Sequence, residues 1–304
     1  MIRCGIDLGG TKIAITCLDN AHKTVFEKRI STPQGDYSGT LSAIAQLVEE
    51  AELLLQLKLP VGIGTPGAIS TATGKMKNSN STCLNSQPLK QDLENLLNRP
   101  IKMSNDANCF ALSEATDGAA QNQEVVFGVI VGTGTGAGIS IKQQVLNGKN
   151  GIAGEWGHNP LPWHDSKHLQ LKPCYCGKSG CIETFLSGPA FESDYLVNSE
   201  KKKSSAQIVE MATQGDETAK LALTDYERNM AKALAHVINI LDPDAIVLGG
   251  GMSNIQSLYE NVPKLWGEYV FSDTVSTQLL APKFGDASGV RGAARLWSLD
   301  ELNT

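Results

Sequence analysis

Two stretches of this chain follow one plan, and that repetition limits the folds open to it. IDLGGTKIAI (6–15) and VIVGTGTGAGISI (129–141) each read as a buried strand, a Gly/Thr turn and a second strand. Continuous β-branched and aliphatic runs suit strands covered on both faces, and glycine permits the tight reversal. The first copy opens a train of strands at 2–8, 12–18 and 24–30. A helical stripe over 37–57 follows, with Leu41, Ile44, Ala45, Val48 and Leu55 on one face. A strand at 61–64, a helix at 88–98, a short strand at 101–103 and a helix at 106–116 complete this half. Near Gly118 the plan restarts, with strands at 125–131 and 138–141, a long helix at 217–241 and a strand at 245–248. Alternating strands and helices in two copies predict an α/β protein with two related lobes. Residues 1–118 form the expected small N-terminal lobe, with a C-terminal helix at about 291–304 packing back on it. Residues 119–290 form the expected large lobe, with an insertion at about 154–185.

Bulk properties exclude several classes. The 304 residues are 41% apolar and 19% charged, and the 26 basic and 32 acidic side chains leave a formal charge of −6. That balance argues against a nucleic-acid surface. No apolar run approaches the length of a membrane span, and MIRCGIDLGG lacks the basic start and long apolar run of a signal peptide. The seven cysteines are odd in number, and Cys4, Cys17, Cys83 and Cys109 lie scattered in apolar surroundings. This usage fits a reducing cytoplasm, so a cytoplasmic protein is expected.

The Gly/Thr turns are the first candidate site. In DLGGT (7–11) the glycines let backbone N–H groups approach an anion, and Thr11 adds a hydroxyl; an ordinary hairpin turn has the same appearance. Asp7 tips the balance, because a carboxylate ending a buried strand is costly unless it serves a cation or a partner. The second turn, at 132–136, stands at the equivalent place, and two such turns facing one cleft could grip a polyphosphate. The triplet at 249–251 follows a buried strand and suits a nucleotide's base and ribose. No P-loop pattern occurs. GIGTPG (62–67) has dinucleotide-like spacing, but Pro66 interrupts it and neither a helix nor a suitably placed acidic residue follows.

In SNDANCF (104–110), Asn105 and Asp106 stand between a strand and a helix. Asp106 could cap that helix or act as a general base toward an attacking hydroxyl. Glu155 and His158 in GEWGH, and Glu183 in CIE, are the kind of side chain that a sugar's hydroxyls require; Asn78 and Asn80 in KNSNST are additional candidates. CYCGKSGC (174–181) has the spacing C-x-C-x4-C, which is no redox C-x-x-C motif. With His158 as a fourth ligand, Cys174, Cys176 and Cys181 suit a structural zinc site; His164 and His168 compete for the histidine role, and three free thiols are the bland reading.

DLGGTK, the Asn-Asp pair, E-x-G-H at 155–158 and CxCGxxGCxE at 174–183 occur in the order seen in the ROK family of sugar kinases and repressors. The resemblance runs from residue 2 to about residue 297. It implies a two-lobed actin-like ATPase fold, related to ribonuclease H, with an interlobe cleft. It further implies Asp106 as catalytic base, and Asn78, Asn80, Asn105, Asp106, Glu155, His158 and Glu183 at the sugar. Gly9, Gly10, Thr11 and Lys12, with Thr133 and Gly134, would contact ATP phosphates, and Gly250 and Gly251 would lie near adenosine. Asp7 would act near magnesium through water, and His158, Cys174, Cys176 and Cys181 would hold zinc. KNSNST, SNDANC, GEWGHNPLPW and NILDPDAIVLGGGMSN look most like bacterial fructokinases of the manno(fructo)kinase type. Phosphorylation of fructose at its 6-hydroxyl is therefore expected, with mannose and glucose as further acceptors. A glucokinase or N-acetylhexosamine kinase is the alternative. The family is often dimeric, so a homodimer is expected. A sugar-sensing repressor would carry a DNA-binding region before DLGGT, where six residues stand here, and a zinc-ribbon interaction module would need basic and aromatic flanks that are lacking.

Overall fold

A computed structural model gives the structure of the protein and describes residues 1–163 and 172–302. The opening apolar runs fold as β1 (Arg3–Leu8), β2 (Lys12–Leu18) and β3 (Thr24–Ser31). They are followed by α1 (Tyr37–Leu55), β4 (Val61–Thr65), β5 (Ala68–Ile69), β6 (Met76–Lys77), α2 (Leu89–Leu97), β7 (Ile101–Asn105) and α3 (Asp106–Thr116). The chain continues with β8 (Val125–Val131), β9 (Thr135–Ile141) and β10 (Gln144–Val145). Four helices come next, α4 (Glu183–Leu186), α5 (Gly188–Ser199), α6 (Ser205–Thr213) and α7 (Glu217–Leu241). The last elements are β11 (Ala245–Gly249), α8 (Ser257–Leu265), β12 (Gln278–Leu280), α9 (Ser288–Arg295) and α10 (Leu299–Leu302). Among the described residues, no helix is long and apolar enough to cross a membrane.

The repeat seen in the sequence reappears as topology. One sheet has the order β3-β2-β1-β4-β7 and the other β10-β9-β8-β11-β12, so each hairpin strand occupies the same place in its sheet. Within the first sheet β1 runs antiparallel to β2 and parallel to β4, which in turn runs parallel to β7. In the second, β11 is parallel to both β8 and β12.

Two compact units divide the chain: residues 1–122, 138–153 and 286–304 form one, and residues 123–137 and 154–285 the other. The sequence expectation differs here, since it put 138–153 in the large lobe. Where this segment begins, the chain approaches α3 closely: a Cβ at Gly138 would lie 2.3 Å from the Ala107 carbonyl oxygen. The strand expected at 138–141 starts earlier, at Thr135, and the C-terminal helix expected at about 291–304 starts at Ser288.

In the first unit, Ile6, Leu8, Ile13, Ile15, Val61 and Ile63 from the sheet bury against Ile44, Leu47 and Val48 of α1. The buried stripe of α1 is Thr40, Ala43, Ile44, Leu47, Val48 and Ala51, rotated slightly from the expected face. Asp36 caps that helix by accepting the Gly39 N–H at 2.9 Å, and Gln56 ends it in the left-handed region at φ 54°. Helix α9 lies against β1, β4 and α3 at backbone contact. A Cβ at Gly5 would stand 2.1 Å from the Val290 oxygen, at Gly62 1.9 Å from the Ala293 oxygen, and at Gly292 1.7 Å from the Cys109 oxygen. The first two glycines of GIGTPG therefore lie on the packed strand β4, Gly62 directly beneath the closing helix.

Since close-packed interiors yield little to added volume, Gly292→Ala is expected to destabilise the protein by about 3 kcal/mol or more. Urea denaturation measures this, and a loss below about 1 kcal/mol would contradict the packing described.

Candidate functional site

In the first unit, strand register gathers the candidate residues. Asp7 of β1 pairs with Ala14 on one side and Gly64 on the other; Ala14 pairs with Arg29, and Gly64 with Ser104. Small side chains thus flank the carboxylate across the sheet. Asp7 is pushed up to about 6, first by burial and then by the charge of Asp106, with Arg29 acting in the opposite direction. The Cys109 thiol, fully buried on α3, is also pushed up, by burial and then by Asp7 and Asp106. The first turn of α9 lies against Asp7, where a Cβ at Gly289 would stand 3.5 Å from Oδ2.

Asn105 and Asp106 end β7 and begin α3. The cap role belongs to Asn105, whose Oδ1 accepts the Asn108 N–H at 2.8 Å. Asp106 is the first helical residue and is exposed, with Oδ1 accepting the Ala107 N–H at 2.8 Å. The alternative in which Asp106 merely caps the helix is therefore set aside.

The DLGGT turn is partly self-satisfied. Gly9 N–H donates to the Lys12 carbonyl at 2.9 Å, the Gly9 carbonyl accepts from Thr32 Oγ1 at 2.8 Å, and Thr32 N–H donates to the Thr11 carbonyl at 3.0 Å. The Gly9 amide is therefore engaged within the hairpin, while Gly10, Thr11 and Lys12 are exposed. Gly10 and Thr11 line a cavity of about 400 Å³ with Asn80 and Ser81. Asn78 is exposed at φ 58°, and Ser79 between the two asparagines is buried. Asn85, absent from the sequence expectations, fixes this loop: its Oδ1 accepts the Ser79 N–H at 2.9 Å and its Nδ2 donates to the Ser79 carbonyl at 2.8 Å.

In the second unit, the 132–136 turn follows β8 and lies beside the 249–251 triplet, which follows the adjacent parallel strand β11. A Cβ at Gly132 would stand 3.8 Å from Gly251 N. Gly250 has φ +79°, and a Cβ there would meet the Val131 carbonyl at 2.4 Å, so the glycine is required twice over. Thr133, Gly250 and Gly251 are exposed. Glu183, expected at the sugar, begins α4 and accepts the Thr135 N–H at 2.8 Å through Oε2. Sequence reasoning missed Thr135, because a backbone amide carries no residue-type signal.

Trp156 anchors GEWGH, packing edge-on against Phe127 of β8 at 5.7 Å between ring centroids, while Glu155 stays exposed. Next to it, His158 Nδ1, Cys174, Cys176 and Cys181 place one donor atom each within 4.8 Å of the others. His158 Nδ1 lies 3.6 Å from Cys174 Sγ, and Cys176 Sγ 3.6 Å from Cys181 Sγ. Tetrahedral zinc–thiolate geometry needs sulfur atoms roughly 3.8 Å apart, so the donor set and its spacing fit that ion. The competing His164 and His168 lie outside the described residues. The second ring nitrogen of His158, expected to face a sugar, lies 3.0 Å from the Tyr175 hydroxyl, whose ring meets the imidazole edge-on at 5.2 Å. Sequence reasoning missed Tyr175 as well.

The sequence profile of the ROK family matches residues 3–299. The N-acetyl-D-glucosamine kinase of Salmonella typhimurium is 37% identical over 301 residues, covering 97% of this chain and 99% of that protein. The enzyme of the same description from Vibrio atlanticus is 37% identical over 296 residues, covering 96% and 98%. Among solved structures, the ROK hexokinase from Thermus thermophilus superimposes with a TM-score of 0.88 at 29% identity, covering both chains fully. The ROK glucokinase from Streptomyces griseus, solved with glucose and AMPPNP, gives 0.73 at 28% identity and covers 97% of this chain and 99% of that one. The two-sheet α/β fold is that of these actin-like kinases. The curated relatives carry N-acetyl-D-glucosamine rather than fructose in their names.

The raised Asp7 value has a measurable consequence. With its carboxyl at about 6 in the folded chain against an ordinary 3.8, the protonated form favours folding. The associated stability is complete below pH 3.8 and is lost as pH rises through 6, a change of about 3 kcal/mol. Asp7→Asn should therefore match the wild type in urea denaturation near pH 4 and exceed it near pH 7.5, both without divalent cations. An equal difference at the two pH values would remove Asp7 as the source.

Proposed function

The chain belongs to the ROK family, and we propose that it is an ATP-dependent kinase that phosphorylates the 6-hydroxyl of a hexose. The observation that carries this reading is Asp106, an exposed carboxylate at the start of α3 whose capping duty is taken by Asn105. As the 6-oxygen attacks the γ-phosphorus, its proton passes to Asp106, the bond to the β-phosphate oxygen breaks, and ADP leaves. Gly10, Thr11 and Lys12 after β1, with Thr133 and Gly134 after β8, hold the phosphates. Gly250 and Gly251 lie near adenosine. Asp7 would act through water near the magnesium that enters with ATP, a cation that would also offset the charge of Asp106. Asn78, Asn80, Asn105, Glu155, His158 and Glu183 bind the sugar, with His158 Nε2 held 3.0 Å from the Tyr175 hydroxyl. His158 Nδ1, Cys174, Cys176 and Cys181 would hold a zinc ion with a structural role, which crosslinks the segments carrying Glu155 and Glu183.

For the acceptor, N-acetyl-D-glucosamine is the reading that the relatives support, and it takes precedence over the fructose expected from the sequence. Fructose is the second reading, supported by the KNSNST and GEWGHNPLPW stretches. Neither bears on the phosphoryl donor.

A coupled ADP-release assay over N-acetylglucosamine, N-acetylmannosamine, fructose, mannose and glucose tests the proposal. The highest kcat/KM is expected with N-acetylglucosamine; a higher value with fructose assigns the second reading, and no turnover on any hexose overturns the kinase assignment. Asp106→Asn should lower kcat by about a thousandfold with sugar affinity retained, and appreciable turnover would exclude it as the base. Elemental analysis should find about one zinc per chain; a fully active protein free of metal would exclude the Cys/His assignment.

A further inference from the structure

We infer that Glu183 is a positioning residue for the 132–136 turn, holding the backbone that meets the nucleotide phosphates; this inference rests on the kinase reading. A turn of three glycines and two threonines has little stiffness of its own, and amides placed loosely bind phosphate poorly. Something outside the turn must fix it.

Four contacts supply that rigidity. Gly132 N–H donates to the Gly134 carbonyl at 2.9 Å, which closes the turn. Gly188 N–H, at the start of α5, donates to the Gly132 carbonyl at 2.8 Å. Glu183 Oε2 accepts the Thr135 N–H at 2.8 Å and lies 2.8 Å from the place a Gly134 Cβ would occupy. A Cβ at Gly157 would stand 2.0 Å from the Thr135 carbonyl oxygen, so the GEWGH backbone abuts the same residue from its other side. The Thr135 hydroxyl is buried and finds no partner among the described residues. Thr135 is therefore held by its N–H, through a carboxylate. A bond of that kind is charge-assisted and stronger than an amide–amide bond.

The strut is itself braced. Thr184 N–H and Oγ1 bond the Cys181 carbonyl at 2.9 and 2.7 Å, and Ile182 N–H donates to the Asn159 carbonyl at 2.8 Å. Glu183 and Gly157 thus stand on the two segments that carry Cys181 and His158. The donor cluster then supports phosphate geometry as well as the sugar side, a second task for a carboxylate assigned above to sugar alone.

The test measures nucleotide without sugar. Titration of a non-hydrolysable ATP analogue with magnesium should show affinity weakened about tenfold in Glu183→Ala, which loses the acceptor. Glu183→Gln keeps an acceptor without charge and should weaken it about threefold. Zinc content and urea midpoint, measured on the same samples, should stay at the wild-type values in Glu183→Gln, so that its loss reports the turn rather than the fold. Nucleotide affinity unchanged or tightened in that variant, with sugar affinity alone reduced, overturns the positioning role. Wild-type protein that binds no nucleotide overturns the kinase reading together with it.

Discussion

Asp7 sits on β1 where burial, and then the charge of Asp106 at the exposed start of α3, raise its carboxyl to about 6. Parallel register brings the end of β1 beside the end of β4 and the end of β4 beside the end of β7. The small Ala14 and Gly64 then leave space on both sides of the Asp7 carboxylate. Helix α3 begins at Asp106 with its cap supplied by Asn105, so the helix end faces one carboxylate while the first turn of α9 lies against the other. That second helix can come so close only because Gly5, Gly62 and Gly292 offer backbone to backbone. A site under electrostatic tension is thus carried by some of the tightest packing in the unit, where small displacements are resisted.

In the second unit the dependence runs the other way, from a loose segment to its supports. The 132–136 turn gains an amide partner from Glu183, a neighbour in Gly157 and a bond from Gly188. Its other side is the 249–251 triplet, where Gly250 must take a positive φ against the Val131 carbonyl. The sulfur and imidazole donors of His158, Cys174, Cys176 and Cys181 converge beside these supports. The chain therefore uses two different devices at equivalent topological positions. The first turn closes on its own hairpin, through Lys12 and Thr32, while the second is propped from outside.

How much of this was legible in the sequence follows from how local each signal is. The strands, the long helices and the repeated hairpin were readable because apolar periodicity and glycine placement act within one element. The four donors of the cysteine cluster were readable too, since few residue types supply them and their spacing is short. What escaped involves backbone groups and distant partners. No pattern announces that Asn105 rather than Asp106 takes the cap, that the Gly9 amide is consumed by Lys12, or that His158 turns its second nitrogen to Tyr175. Asn85 clamps Ser79 across six positions and reads, in sequence, as one more loop asparagine. The placement of 138–153 with the first unit was hidden for the same reason, since it involves contacts with distant elements such as the approach of Gly138 to α3.

The same distinction separates the phosphate side of the site from the sugar side. Under the kinase reading, phosphate oxygens would be met by amides and hydroxyls at strand ends, positions set by sheet register. A sugar is told from its relatives by single hydroxyls, or by an acetamido group, and discrimination comes from leaving a buried polar group unpaired when the wrong one enters. Under the kinase reading, the side chains proposed for that task, Asn78 and Asn80 in one unit and Glu155 and His158 in the other, stand on irregular segments held by Asn85, Trp156 and Tyr175. On that reading, those supporting contacts, as well as the motif residues, are where this chain and its N-acetyl-D-glucosamine kinase relatives have to be compared.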